Sequence, residues 1–173
     1  MNSAVTHIIR FIFFVLVQVL VLNQLEIGYG VQIMVYPLYL LLLPVEMNVF
    51  SLMLVAFGMG LTIDSMSDTY GLHASSLLAF AFFRPIVFKM FAPRDGYDHL
   101  LETNIYNLGF NWFIRVFGLL LLIHHFWFFA LEMFKMNEIF NILQKSIVSG
   151  IVSFLICILM QYLFIRNKKE NEV

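Results

Sequence analysis

Apolar runs long enough to cross a bilayer recur along the chain, and each is closed by Gly, Pro, Asn or charge. At roughly 20 residues per crossing, they place spans at about 6–25, 31–47, 48–65, 71–91, 108–131 and 140–165. The second is short. Its sequence, VQIMVYPLYLLLLPVEM, carries Pro37 inside and Pro44 near its end, so a full span and a kinked or re-entrant element both fit. The first run, Ile8 to about Leu22, is followed by NQLEIGYG, which lacks a small-x-small cleavage pattern, and it reads as a retained anchor. The expected fold is a single all-α polytopic membrane domain over residues 1–173, with about six helices in one bundle.

Composition names the solvent. The chain is 61% hydrophobic, with 20 Phe and only 12% charged residues, against roughly 25% charged residues in soluble domains. The formal net charge of −1 gives no purchase on nucleic acid. Cys157 is the only cysteine, which excludes an internal disulfide and a cysteine-rich metal site. Charge placement orients the spans. Arg10, Arg84, Lys89, Arg94, Arg166, Lys168 and Lys169 fall near one set of ends, and only Lys135 and Lys145 flank the other. By the positive-inside rule both termini are cytoplasmic, and the Lys- and Arg-free loops NQLEIGYG and SMSDTYG face outward. Arg115, about seven residues into the fifth span, is able to snorkel to the cytoplasmic side.

Helices packing in lipid need small residues at their contacts and polar groups that find partners. Ala56, Gly60 and Asp64 recur every four residues on the third span, Gly71, Ser75 and Ala79 on the fourth, and Ser146, Gly150, Ser153 and Cys157 run toward Gln161 on the sixth. All three read as packing seams. On the fifth span Asn111, Arg115, Gly118 and His125 form a polar stripe that must face protein, either the bundle interior or a partner.

The stretch GMGLTIDSMSDTYGLHASS concentrates the candidate chemistry. Asp64, at the outer end of its seam, is placed to bind backbone N–H groups at the start of the fourth span or to pair with His73; as an ionisable group at membrane depth it is also a candidate ligand or partner contact. Asp64 and Asp68 have the spacing of a Mg²⁺-binding carboxylate pair, but diphosphate chemistry needs further oxygen ligands and cationic clamps, and Arg84 and Arg115 lie toward the opposite side. No catalytic set emerges. His73 and Arg84 share a helix face but are separated by about 16 Å of rise. Arg84, just before Pro85, reads as a snorkelling arginine of the inner leaflet. His124 and His125 point about 100° apart on a helix and with Glu132 do not make a metal site.

The order of these features resembles the rod shape-determining protein MreD family of bacteria. The likeness rests on IIRFIFFVLVQVLVLNQ, the Pro-bounded second span, Gly58, Gly60, Leu61 and Asp64, then Gly71, Leu72, His73 and Ala74, followed by FFRP and PRDGY. It covers most of residues 1–100; the last two spans match in hydropathy alone. The resemblance implies a non-enzymatic, cofactor-free scaffold of the cell-elongation complex in the bacterial inner membrane. Its implied partners are an MreC-like protein, an MreB-like cytoskeleton, a RodA-like glycosyltransferase with its penicillin-binding transpeptidase, and membrane lipid. It also implies a fold like the six-helix substrate-binding subunits of energy-coupling-factor vitamin transporters, which supply the alternative function.

Overall fold

The computed structural model describes residues 3–25, 28–94, 96–98 and 102–164, without the side chains of Ser3, Ala4, Tyr29 and Met136. The basic tail RNKKENEV lies outside the described residues. The helices are α1 (Ser3–Leu20), α2 (Pro37–Leu41), α3 (Val49–Ser67), α4 (Leu72–Met90), α5 (Ile105–Leu108), α6 (Phe110–Met133) and α7 (Ile139–Phe164). Five of the helical segments among the described residues, at α1, α3, α4, α6 and α7, are long and apolar enough to cross a membrane. The chain is a multi-pass α-helical membrane protein.

Local chemistry sets the element ends. Asn48 caps α3, its side chain accepting from the Phe50 N–H at 2.9 Å. The α3–α4 turn is short because Asp68 closes α3 in the left-handed region (φ 53°) and Gly71 opens α4 there too (φ 89°). Gly71 fills a conformation that side-chain-bearing residues resist. Asn104 caps the short α5, its side chain accepting from Asn107 N–H at 2.9 Å. In the bundle α3 packs chiefly on α4, α4 on α6 and α6 on α7.

Residues 31–47 do not form a spanning helix. Only Pro37–Leu41 is α-helical, with Pro37 in the first turn, where its missing N–H costs nothing. The run from Met34 to Leu43 is buried throughout. Irregular backbone is tolerated at membrane depth when protein rather than lipid surrounds it and meets its polar groups. Here side chains from the flanking helices do so. Gln18 of α1 donates to the Ile33 carbonyl at 2.8 Å and accepts from Val35 N–H at 3.0 Å. Ser149 and Ser153 of α7 accept from the N–H groups of Gln32 and Met34 at 3.1 and 2.9 Å. The small polar stripe of α7 is buried as its spacing suggests, and it lies against this segment as well as against α6.

The same segment links the two ends of the bundle. Near one end Tyr36 meets His73; near the other the carbonyls of Leu41, Leu43 and Pro44 receive Arg84. Eleven residues of α4 separate those contacts, about 16 Å of rise. The chain therefore passes from α1 back to α3 through the middle of the bundle, not along its lipid face. Arg10 and Glu102 pair at the Arg84 end, at 3.0 and 3.1 Å, and Asn23 donates to Ser67 at the opposite end, at 2.8 Å. Phe13 and Phe164 pack with ring centroids 5.3 Å apart, so the start of α1 and the end of α7 share one end.

Candidate functional site

Asp64 does the work of a helix cap from the preceding helix. Gly71, at the cap position of α4, has no side chain to offer the free N–H groups of the first turn. Asp64 Oδ1 accepts from His73 N–H at 3.1 Å and Oδ2 from Ala74 N–H at 2.9 Å, the two donors a capping side chain normally satisfies. Thr69 Oγ1 adds a third bond to Oδ1, at 2.7 Å. Of the open readings for Asp64, backbone capping is the geometry present; its bonds run to the His73 main chain, not to the imidazole. Placing an anion at the positive end of α4 adds a favourable helix-dipole interaction. Asp64→Asn keeps one acceptor and turns an NH₂ toward a backbone N–H. We expect it to lower the unfolding free energy in detergent by about 1–3 kcal/mol, measured as a fall in Tm. An unchanged Tm would show that the cap is dispensable.

Close approach of α3 to α4 makes this capping possible. Ala56, Gly60 and Asp64 are buried on one face of α3. A Cβ built on Gly60 would lie 2.2 Å from Ala74 Cα and 2.5 Å from Ala74 N. Gly58 does not share this seam: it is exposed, with open space where its Cβ would be. Two residues of helix turn it about 200° away from Gly60. On α4 the residue that meets Gly60 is Ala74, which is not one of the Gly71, Ser75 and Ala79 set, and a Cβ on Gly71 would meet nothing within 4 Å. Ser75 instead accepts from Trp127 Nε1 of α6 at 2.8 Å. Asp68 is exposed on the turn.

Beneath the turn lies a polar cluster drawn from three segments. Tyr36 OH sits 2.7 Å from His73 Nδ1 and 3.0 Å from His124 Nε2, with all three side chains buried. A phenol has one proton, so Tyr36 donates to at most one of the two imidazoles and accepts from the other; Met34 Sδ, 3.6 Å from the hydroxyl, is a further acceptor within reach. His125 turns elsewhere, its Nδ1 2.8 Å from the Leu121 carbonyl and its Nε2 3.2 Å from Ser153 Oγ. Glu132 takes a hydrogen bond from Gln32 at 2.9 Å. Among the described residues no group of three or more His, Cys, Asp or Glu is placed to hold a metal ion. Sequence reasoning passed over Tyr36, Gln18 and Thr103. For Tyr36 and Gln18 the signal was there, in polar side chains within strongly apolar runs; Thr103 sits in the polar connection before α5 and carries no such signal.

His73 also lines a cavity of about 420 Å³ at this end of the bundle. Asn23, Gln32, Ser67, Asp68 and Thr69 contribute to its wall. Among the described residues neither His73 Nε2 nor His124 Nδ1 makes a hydrogen bond, and of the two rings it is that of His73 that lines the cavity.

Arg84 is not a snorkelling residue. It is 2% exposed and donates to the carbonyls of Pro44, at 3.3 Å, Leu41, at 3.2 Å, and Leu43, while its Cζ stands 4.5 Å from the Phe88 ring centroid. Thr103 donates to the Leu41 carbonyl as well. The last carbonyls of a helix have no partner within it, and here a planar guanidinium gathers that of Leu41, the last residue of α2, together with those of Leu43 and Pro44 just beyond it. On α6 the polar stripe divides. His125 is buried, whereas Asn111 and Arg115 are exposed and do not face the bundle interior.

The fold and this polar interior define a multi-pass helical membrane protein organised around a buried, largely non-helical segment. Compared with family models, with curated proteins and with solved structures, the chain matches none.

Proposed function

We propose that the chain is a non-enzymatic scaffold subunit of the bacterial cell-elongation machinery in the inner membrane, as its MreD-like strings imply. It would work beside an MreC-like protein, an MreB-like cytoskeleton and a RodA-like glycosyltransferase with its penicillin-binding transpeptidase. One observation carries the non-enzymatic part of this reading. The charged groups buried in the bundle are occupied by the chain's own backbone: Asp64 holds the start of α4, and Arg84 holds the end of α2. Groups spent in this way hold a shape and are poorly placed to hold a reacting substrate. In this reading the termini are cytoplasmic and the Asp64 turn faces outward, as the distribution of Lys and Arg favours. Depletion of the protein should round rod-shaped cells, and the purified complex should contain wall-synthesis partners; rods of normal shape after full depletion would refute the proposal.

The cavity beside His73 favours a second reading, the substrate-binding subunit of an energy-coupling-factor vitamin transporter. Its 420 Å³ lies within the usual size of small-molecule sites. A vitamin present at about 1,000 times its Kd would add about 4 kcal/mol to the stability of the native state. The scaffold reading expects no Tm shift across a panel of water-soluble vitamins. A clear shift with one of them, together with unchanged cell shape on depletion, would install the transporter reading instead.

A further inference from the structure

We propose that the outward face of α6 marked by Asn111 and Arg115 docks a transmembrane helix of a different protein that carries a carboxylate near the cytoplasmic-side membrane surface. The inference rests on the scaffold reading and gives it a surface. Arg115 is exposed on a helix that crosses the membrane, and among the described residues it makes no ion pair or hydrogen bond. Charged side chains within spanning segments mostly face protein or a water-filled cavity and pair there, and Arg115, five residues into α6, is close enough to the helix start for its head group to sit at the membrane surface, the level at which a partner's carboxylate meets it. Arg84 obeys that rule inside the bundle; Arg115 points away from it.

Helix geometry extends the surface beyond one residue. At about 100° per residue, Asn111, Arg115, Leu122 and Phe126 fall within about 60° of one another. Leu122 and Phe126 are 42% and 39% exposed. They also line an open apolar groove of about 550 Å³, shared with Phe83 of α4 and with Leu143 and Ile147 of α7. The stripe thus has a polar end and a grooved apolar end, the pattern that takes a helix with a side-chain acid at one level and aliphatic side chains above it. Charge selects the occupant. Asn111 supplies a neutral donor one turn from the guanidinium, and the pair matches a carboxylate, which accepts two parallel bonds from arginine. A second copy of this chain fits less well. Its described spanning helices hold two acids, Asp64, which is committed to α4, and Glu132, which lies toward the end of the bundle opposite Arg84, and at the Arg84 end Glu102 is already paired with Arg10.

The test uses the full chain in its own membrane. A photocrosslinking amino acid at Leu122, with one at Leu54 on the exposed face of α3 as control, should trap a heterologous membrane protein from Leu122. The trapped peptide should be a transmembrane segment containing Asp or Glu. Arg115→Glu should cut that adduct roughly 3- to 30-fold, the range for one interhelical polar contact in a membrane. Arg115→Lys should restore part of it, the Tm of the isolated protein should not move, and Lys in place of the partner's acid should rescue Arg115→Glu. Adducts with lipid alone, adducts with a second copy, the absence of any adduct, a trapped segment without an acid, or an adduct insensitive to Arg115→Glu would each overturn the inference. The scaffold reading fails separately: if depletion leaves cell shape intact while the charge swap holds, the surface is real and the assigned machinery is wrong.

Discussion

Leucine at position 60 should leave little folded protein, whereas alanine at position 58 should leave Tm unchanged or slightly raised. The two glycines are two positions apart on the same helix and differ only in what stands in front of them. At Gly60 a Cβ would enter the backbone of α4, 2.2 Å from Ala74 Cα and 2.9 Å from the His73 carbonyl carbon. Backbone cannot rotate away as a flexible side chain can, so α3 and α4 must separate. Overpacking in a well-packed core costs about 1–3 kcal/mol, occasionally more, and Gly60→Leu should stand at or above the top of that range. Separation would also pull Asp64 from the N–H groups of His73 and Ala74, so the cap fails with the seam. At Gly58 a Cβ meets nothing within 4 Å, and alanine in a helix interior is favoured over glycine by roughly 0.5–1 kcal/mol. Thermal unfolding in one detergent, with both variants beside the wild type, reads the contrast. Equal stability of the two would mean that the helices do not approach as closely as described.

Arg84→Met should produce the second large loss. The substitution retains length and apolar contact but removes the donors that meet the carbonyls of Leu41, Leu43 and Pro44. Leu41 keeps Thr103 and Pro44 keeps the Met47 N–H, so Leu43 is the carbonyl left without a partner. An unsatisfied buried acceptor costs about 1–3 kcal/mol, and the central segment would lose its anchor at that end. Arg84→Lys should recover only part of the loss, since an ammonium lacks the planar fork that reaches several carbonyls together. If Arg84 merely reached for the membrane surface, Met would be tolerated with no change in Tm. The measurement therefore separates the buried role from the snorkelling one that its place before Pro85 suggests.

What the sequence determined was whatever depends on local pattern. The long apolar segments that become α1, α3, α4, α6 and α7, the outer turn between the third and fourth spans, and the small-residue face through Ala56 and Gly60 follow from hydropathy, turn residues and four-residue spacing. Capping by Asp64 is one of the readings its position allows, since the start of α4 lies 9 and 10 residues ahead across one turn, but the choice of backbone N–H over the His73 ring comes from the tertiary structure. The fate of residues 31–47 was decided by tertiary structure. Hydropathy measures removal from water and gives the same value for a segment in lipid and for one in a protein interior, so VQIMVYPLYLLLLPVEM reads equally well as a span. Only the positions of Gln18, Ser149, Ser153 and Arg84 around it make a non-helical path affordable, by meeting backbone groups that lipid would leave bare. The Tyr36–His73–His124 cluster was hidden for the same reason. Its members are separated by 37 and 88 residues from Tyr36, and no periodicity within one helix encodes a contact made between three segments of the fold.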